Sequence, residues 1–207
     1  MDPAAQIATP VTRIADLAVP VGRSCALTFD DGPEEPWTGA VLDCLESLGV
    51  VATFFVLGYK IAGNERTLRR MVELGCAVEV HSWEHIRMTD QQPEQVAADI
   101  RRTSDLIREV TGRGPRFVRP PDGAVSHQVL DQIRLSGLTP AFWSTHAFDW
   151  DRPGAEAIVR DVSKGLRNGA VVLLHDGGGD RSQTVEAIPG IIRVAAARGL
   201  LPVPLGS

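Results

Sequence analysis

The stretch Thr28-Phe29-Asp30-Asp31-Gly32-Pro33 places two adjacent carboxylates where an apolar run ends and a turn begins. The apolar residues 25–27 before it predict a buried strand, and Gly-Pro favours a turn for backbone reasons. Two like charges side by side repel each other unless a cation or a proton relieves the repulsion. The hexapeptide alone is as compatible with a plain turn as with a metal or acid-base site, so the rest of the chain must decide.

Length, composition and charge restrict the class of protein. The chain has 207 residues, of which 43% are hydrophobic and 23% charged, as in a globular protein of one domain or two small ones. The formal net charge of −5 argues against a nucleic-acid-binding protein, which normally carries a basic face. No apolar run reaches the roughly 18 residues that a membrane span requires. We therefore expect neither a nucleic-acid partner nor a membrane span.

The N-terminal residues and the cysteines bear on the compartment. Residues 1–20 carry acidic side chains and no long apolar stretch behind a basic start, so they do not resemble a secretory leader. Cys25, Cys44 and Cys76 are odd in number and widely spaced, which favours free thiols in a reducing compartment. We expect a cytoplasmic protein, although a secreted protein trimmed of its leader would give the same pattern. Residues 1–21 are interpreted as a lead-in and residues 22–207 as the functional domain.

Strand-like and helical segments alternate along the domain. Short apolar segments predict strands over residues 24–29, 50–57, 76–80, 116–118, 138–143 and 170–174. Helical spacing of apolar residues, with Gly or Pro at the ends, predicts helices over residues 38–48, 65–74, 93–111, 126–135, 155–166 and 184–197. This alternation indicates parallel βαβ units. Six or seven units in this length predict a small or incomplete α/β barrel.

Chemically capable side chains follow the predicted strands at their C-terminal ends. They are Asp30, Asp31, His81, His85, Arg119, Asp149, Trp150, His175 and Asp176. In α/β barrels the C-terminal ends of the strands form the rim on which active sites are built, whereas chance would scatter such residues between both ends. The placement therefore predicts an enzyme.

Two histidines at positions i and i+4, His81 and His85, are able to reach one cation. A lone His-x-x-x-His is more often two unrelated surface histidines, but three of the five histidines of this chain, including His175, lie on the predicted rim. Two imidazoles and one Asp carboxylate leave open positions for water and substrate, as a catalytic divalent ion requires. Zn²⁺ fits this set best, and Co²⁺, Ni²⁺ or Fe²⁺ would also fit.

Five ordered motifs resemble those of the polysaccharide deacetylases, the NodB-homology group or carbohydrate esterase family 4. The motifs are Thr28–Pro33, His81-Ser82-x-x-His85, Arg119-Pro120-Pro121-x-Gly123, Asp149-Trp150 and Leu173-Leu174-His175-Asp176. The resemblance covers residues 22–200. It implies a single-domain distorted (β/α) barrel of about seven strands and a metal-dependent hydrolase. The implied reaction removes an N-acetyl group from a carbohydrate or a small glycoside.

The resemblance also implies the role of each residue around the metal. It implies a divalent ion held by Asp31, His81 and His85, which activates water for attack on the acyl carbon. Asp30 would be the general base that takes the proton of this water. Arg119 would orient Asp30.

A second set of residues is implied for the leaving group and the substrate. His175 would protonate the leaving amine, and Asp149 would hold its imidazole. A backbone N–H near Asp122 would help to hold the oxyanion. The implied substrate-binding residues are Pro120, Asp122, Gly123, Trp150 and Leu174, the last lining the acetyl pocket with Trp150.

Two positions depart from the family pattern. Asp122 stands where the family usually has Tyr or Phe, and His146 stands where the fourth motif usually begins with Asp. With no leader recognised, these departures favour a smaller intracellular N-acylated substrate over a cell-wall or chitin polymer. The alternative is that Asp122 faces solvent and the enzyme hydrolyses N-acetylglucosamine oligomers.

Two rival functions stay open on the sequence. One is a hydrolase of another C–N acyl bond, such as a formamide or a cyclic amide, which the size of the acyl pocket around Leu174 would distinguish. The other is a non-catalytic sugar-binding homologue. Against this second rival, every motif residue with a catalytic or ligand role is present, whereas a degenerate site would be expected to lose at least one.

Overall fold

A computed structural model describes residues 22–206, and the predicted lead-in lies outside these residues. Strands and helices alternate along the described chain. The strands are β1 Ser24–Asp30, β2 Thr53–Leu57, β3 Ala77–Ser82, β4 Phe117–Val118, β5 Thr139–Pro140, β6 Thr145–His146, β7 Ala170–His175 and β8 Leu201–Pro202. The α-helices are α1 Trp37–Leu48, α2 Glu65–Glu73, α3 Pro93–Thr111, α4 His127–Leu135, α5 Ala155–Gly165 and α6 Ser182–Ala197. No helix within residues 22–206 is both long and apolar enough to cross a bilayer.

The strands form one parallel sheet that curves into an incomplete barrel. Its order is β5-β4-β3-β2-β1-β7-β6, with β8 pairing beside β1 outside this path. In the described part of the chain, no strand pairing joins the two end strands, β5 and β6. The prediction of a single-domain distorted (β/α) barrel of about seven strands is therefore confirmed.

Both faces of the sheet are covered, and the side chains of each strand alternate between them. In β1, Leu27 and Phe29 pack with the helices in the large outer core, whereas Ala26 belongs to the smaller inner cluster with Phe55. Asp30 lies on the same face of β1 as Ala26, four residues earlier. Its carboxylate therefore points into the barrel at the carboxyl end of the strand. The inward-facing polar side chains at the carboxyl ends of several strands therefore meet at one end of the barrel.

The predicted strand over residues 138–143 is too long, because only Thr139–Pro140 within it forms a strand and the chain then crosses between the two edges of the sheet. The N–H of Ala141 donates to the carbonyl of Val118 on β4, and the N–H of Ser144 donates to the carbonyl of Val171 on β7. Pairing therefore changes partner between residues 141 and 144, and the second short strand, β6, begins beyond the predicted segment. A local apolar pattern does not reveal such a change of partner.

A buried carboxyl, Glu79 on β3, holds the start of β4. Its Oε2 accepts hydrogen bonds from the N–H of Arg116 at 2.6 Å and from that of Phe117 at 2.8 Å. Burial raises the pKa of Glu79 to about 7 and outweighs the two N–H groups, which lower it. The folded state therefore favours the protonated carboxyl.

This raised pKa predicts a pH dependence of stability. Because the pKa of Glu79 is higher in the folded protein than its ordinary value of 4.5, its contribution to stability is complete below pH 4.5 and is lost as the pH rises through about 7. Glu79→Gln keeps an oxygen for both N–H groups but has no charge. Between these pH values, its free energy of unfolding should rise relative to that of the wild type by up to about 3 kcal/mol.

Urea unfolding at several pH values measures this difference. Glu73→Gln, which changes an exposed carboxylate on α2, is the control and should follow the wild-type pH dependence. If the free energies of wild type and Glu79→Gln ran parallel with pH, Glu79 would not be the titrating group.

Candidate active site

A pocket of about 400 Å³ lies at the carboxyl ends of the central strands, and we call it the rim pocket. It is lined by Asp30, Asp31, His81, His85, Arg87, Pro120, Asp122, Trp143, Trp150, Leu173 and His175. Most of the residues predicted from the motifs line this one space. Parallel strands produce the convergence, since their carboxyl ends meet at the same edge of the sheet.

Three side chains in the rim pocket form a potential metal site. Nδ1 of His81 lies 2.7 Å from the carbonyl oxygen of Arg119, which only accepts, so Nδ1 carries the proton and Nε2 keeps its lone pair. This Nε2 lies 3.3 Å from Oδ1 of Asp31, and Nε2 of His85 lies 3.4 Å from the same oxygen. The three ligand atoms lie within 4.8 Å of one another.

The protonation and hydrogen bonding of these groups fit a divalent cation. Oδ1 of Asp31 is buried and has no hydrogen-bond partner within residues 22–206. Burial raises the pKa of Asp31, but the facing imidazole of His81, with those of His175 and His85, outweighs burial and holds the pKa well below its usual range. A carboxylate and two imidazole lone pairs directed at one point repel one another unless a cation lies between them. The donor set is therefore compatible with a divalent metal ion.

Asp31 reaches this position through an unusual backbone conformation. Its φ angle of 77° is left-handed, which is uncommon for a residue with a side chain. Lys60 Nζ donates a hydrogen bond of 3.0 Å to the carbonyl oxygen of Asp31 and also pairs with Glu34. Gly177 packs so closely that a Cβ atom there would lie 2.3 Å from the same carbonyl. These contacts hold the Asp31 carboxylate in its strained conformation.

The Lys60 contact predicts a change in metal affinity. Lys60→Met keeps the unbranched stem of the side chain, one atom shorter, but leaves the carbonyl of Asp31 without its charged donor. Residues that hydrogen-bond a metal ligand without contacting the metal typically contribute about 10–100-fold to metal affinity. We expect such a loss for Lys60→Met, measured as the Kd for Zn²⁺ or Co²⁺ in competition with a chelator.

A matched variant separates this effect from the general loss of a lysine. Lys164 on α5 forms an exposed ion pair with Asp161 and lines no part of the rim pocket. Lys164→Met should leave the metal affinity at its wild-type value. Equal Kd values for the two variants would remove Lys60 from the support of Asp31.

Asp30 lies beside the potential metal site and is held by a buried arginine. Arg119 is fully buried, and its Nη1 donates to Oδ1 of Asp30 and to Oγ1 of Thr28, each at 2.7 Å. Its guanidinium also lies 4.0 Å from the ring centre of Phe55. The second oxygen of Asp30, Oδ2, lies 3.9 Å from Nε2 of His81. Arg119 thus fixes one oxygen of Asp30 and leaves the other facing the potential metal site.

His175 faces the same pocket from β7 and is oriented by Asp149. Oδ1 of Asp149 lies 2.8 Å from Nδ1 of His175, and Oδ2 accepts from the His175 N–H at 2.9 Å and from the hydroxyl of Thr184 at 2.8 Å. Burial lowers the pKa of His175, but the hydrogen bond and charge of Asp149 outweigh burial and raise it. The ring is therefore held in the orientation of a proton donor, with Nε2 directed away from Asp149.

The predicted acyl-pocket residue Leu174 is wrong by one position. Leu173 lines the rim pocket, whereas Leu174 is fully buried in the outer core against the helices. The reason is the alternation of side chains along β7, because His175 faces the pocket and its same-face neighbour is two residues earlier. Trp150, the other predicted wall residue, lines the pocket and meets the ring of His175 edge to face at 5.2 Å.

Arg87 and Trp143 also line the pocket, although the motifs did not indicate them. Trp143 lies in the segment that crosses between the edges of the barrel, and Gly123 packs against it, since a Cβ atom there would lie 2.9 Å from its ring. Gly123 thus supports the wall without lining it. Arg87 follows His85 by two residues in a loop, where no periodicity shows its direction.

The departure at His146 lies outside the residues that line the rim pocket. Its ring contacts those of Phe148 at 4.3 Å and Trp150 at 6.1 Å between centroids. Its Nδ1 is buried and has no hydrogen-bond partner in the part of the chain that is described. The substitution therefore changes the aromatic packing behind Trp150 rather than the pocket surface.

Comparison with known proteins gives a consistent result. The family model for polysaccharide deacetylase matches residues 19–141. A peptidoglycan-N-acetylglucosamine deacetylase of Bacillus cereus is 35% identical over 169 residues, covering 81% of this chain and 79% of the relative. A chitooligosaccharide deacetylase of Bradyrhizobium is 38% identical over 195 residues, covering 88% of this chain and 89% of the relative.

Structural comparison agrees with the sequence matches. The structure of a family 4 carbohydrate esterase from Streptomyces lividans, in complex with acetate, superposes with a TM-score of 0.82. The two chains are 35% identical, and the match covers 87% of this chain and 92% of the other. The chain belongs to the polysaccharide deacetylase family, carbohydrate esterase family 4.

Proposed function

We propose that the protein is a metal-dependent hydrolase that removes the N-acetyl group from N-acetylglucosamine units of a carbohydrate. One observation carries the proposal: a single pocket holds a three-residue metal-ligand set, a carboxylate oriented by Arg119 and an imidazole oriented by Asp149. These are the groups that hydrolysis of an amide requires, namely a site for activated water, a base and an acid. The presence of all three argues against a non-catalytic sugar-binding protein.

The relatives support the substrate class. One is named for peptidoglycan N-acetylglucosamine and the other for chitooligosaccharide. These substrates share the N-acetylglucosamine unit and are oligomers or polymers. We therefore favour an oligomeric or polymeric carbohydrate as the substrate over the small intracellular molecule that the departures at Asp122 and His146 suggested. The departure at His146 does not oppose this choice, since His146 does not line the rim pocket.

Asp31, His81 and His85 would hold a divalent cation, for which we propose Zn²⁺, with Co²⁺, Ni²⁺ or Fe²⁺ as alternatives. Such an ion, when bound, supplies Lewis acidity that polarises the acetyl oxygen and lowers the pKa of water. The donor set is compatible with this role because two neutral imidazole nitrogens and one carboxylate leave positions open for water and substrate.

The remaining steps are proton transfers by residues of this chain. As the oxygen of water bonds to the acetyl carbon, Asp30 takes its proton through the oxygen that Arg119 leaves free. As the C–N bond breaks, His175 donates a proton to the amine nitrogen while Asp149 stabilises the ring. The products are acetate and the free amine of the sugar. The backbone N–H of Asp122 stays our prediction for an oxyanion donor.

A panel of substrates tests the proposed bond and substrate. The protein loaded with Zn²⁺ or Co²⁺ is offered N-acetylglucosamine oligomers, peptidoglycan, acetylxylan, a formamide and a cyclic amide, with the Asp30→Asn variant as the blank. Acetate and free amine from the oligomers or peptidoglycan would support the proposal. Turnover of only the formamide or the cyclic amide would favour the rival C–N hydrolase. Full metal occupancy without turnover of any substrate would favour the non-catalytic rival.

A further inference from the structure

An ion pair spans the mouth of the rim pocket. Nε of Arg87 donates to Oδ2 of Asp122 at 2.6 Å, and the two side chains are 57% and 43% exposed. Arg87 lies in the loop after β3, and Asp122 lies in the loop after β4. Both line the same pocket as Asp30 and His175, so the pair faces the space where the substrate reacts.

Stability gives little reason for this pair. Exposed ion pairs typically contribute little to folding stability, because water screens them and two long side chains lose freedom. The two loops are also joined beneath the pair by other contacts. Nδ1 of His81 donates to the carbonyl of Arg119, and the N–H of Arg119 donates to the carbonyl of Val80. The pair is therefore better explained by what it presents to the pocket.

The pair leaves hydrogen-bonding atoms free on both sides. Among the described residues, the two terminal guanidinium nitrogens of Arg87 donate to no partner, and Oδ1 of Asp122 accepts from none. Because the charges of Arg87 and Asp122 offset each other, the pair offers donors and an acceptor side by side without a net charge. Neighbouring hydroxyl groups of a sugar match this arrangement, since each hydroxyl both donates and accepts.

The walls of the pocket fit the same ligand. Trp143 and Trp150 also line it and present apolar ring surface. A sugar ring has apolar C–H faces and a polar edge of hydroxyl groups, so aromatic walls and a polar mouth complement it. An isolated Asp122 would instead have favoured a cationic group, but Arg87 neutralises it.

We propose that Arg87 and Asp122 together form a specificity element that hydrogen-bonds the hydroxyl groups of the sugar carrying the acetamide. The inference rests on the proposed function, because it assigns the sugar-recognising part of the same site. It also gives a physical reason for the departure at Asp122: a polar pair replaces an aromatic wall residue. Discrimination arises because a substrate without these hydroxyl groups displaces water from the pair and gives it no hydrogen bond in return.

The test compares two acetyl donors, an N-acetylglucosamine tetramer and an aryl acetate that has no sugar. For Arg87→Ala and Asp122→Ala, we expect kcat/KM for the tetramer to fall about 10–100-fold relative to that for the aryl acetate, mostly through KM. The double variant should fall no further than the worse single variant, because each residue orients the other. Asp122→Asn, which keeps an acceptor, should lie closer to the wild type than Asp122→Ala.

Arg108→Ala is the matched control, since Arg108 on α3 is 58% exposed, pairs with Asp105 at 2.9 Å and does not line the rim pocket. This variant should keep the wild-type ratio of kcat/KM for the tetramer to kcat/KM for the aryl acetate. Metal content and melting temperature are recorded for every variant. An equal fall for tetramer and aryl acetate, together with lower metal content, would mean a structural role and would overturn the inference.

Three other results would overturn it in ways that can be told apart. If the wild type hydrolyses both donors and Arg87→Ala keeps the wild-type ratio, the inference fails and the proposed function stands. If Arg87→Ala loses more on a peptidoglycan fragment carrying a carboxylate than on the neutral tetramer, Arg87 binds an acid rather than hydroxyl groups. If the wild type releases acetate from neither donor, the proposed function fails and the inference fails with it.

Discussion

His81→Ala is expected to lose both the bound metal ion and the hydrolytic activity. Nε2 of His81 lies 3.3 Å from the orphaned oxygen of Asp31, and its Nδ1–H fixes the ring on the carbonyl of Arg119. Removing the imidazole leaves only two protein ligands, and a catalytic zinc site typically has three. We expect metal content well below one ion per chain and acetate release at the level of the metal-free protein.

The control for this variant is His127→Ala. His127 is exposed at the start of α4 and does not line the rim pocket, so its loss should change neither metal content nor rate. Metal content is measured by elemental analysis after dialysis, alongside the melting temperature with and without Zn²⁺. Full metal occupancy in His81→Ala would show that the ligand set is assigned incorrectly.

Asp30→Asn is expected to separate metal binding from catalysis. The amide still presents an oxygen to Nη1 of Arg119, so the local geometry should persist, but it cannot take a proton from water. General-base catalysis typically contributes about 10²–10⁴-fold to a rate, so kcat should fall by this range or more. Metal content should equal that of the wild type, since Asp31 rather than Asp30 belongs to the ligand set.

A buried arginine makes stability the necessary control for Asp30→Asn. Arg119 is fully buried, and weakening its charge partner is expected to lower the melting temperature. Asp131→Asn, which breaks an exposed Arg–Asp pair on α4, provides the comparison for a pair outside the pocket. A folded Asp30→Asn with wild-type kcat would contradict the assignment of Asp30 as the base.

The sequence reveals the positions of the proposed catalytic side chains because they depend on local pattern. Asp30 and His175 follow apolar runs that end at the barrel rim, and parallel strands place such ends together. The ordered motifs then predict the partners, and the structure places Arg119 on Asp30 and Asp149 on His175. The family and the fold class are predicted on the same basis.

What the sequence does not reveal depends on contacts between distant segments. Leu174 was predicted to line the acyl pocket, but Leu173 lines it. Counting alternate residues back along the strand from His175 would have identified Leu173. The partnership of Arg87 with Asp122 joins two loops 35 residues apart and leaves no periodic trace. The crossing between the edges of the barrel, residues 141–144, looks locally like a continuing strand. The lead-in of residues 1–21 lies outside the described residues, and the cytoplasmic location stays a prediction.

The most direct test of the central claim is the reaction of the Zn²⁺-loaded protein with an N-acetylglucosamine tetramer, followed by quantifying acetate and free amine together. N-deacetylation predicts equal amounts of the two products, formed by the wild type and not by Asp30→Asn. Acetate from acetylxylan without any amine from the tetramer would contradict the claim. It would mean that the pocket hydrolyses esters rather than the N-acetyl group.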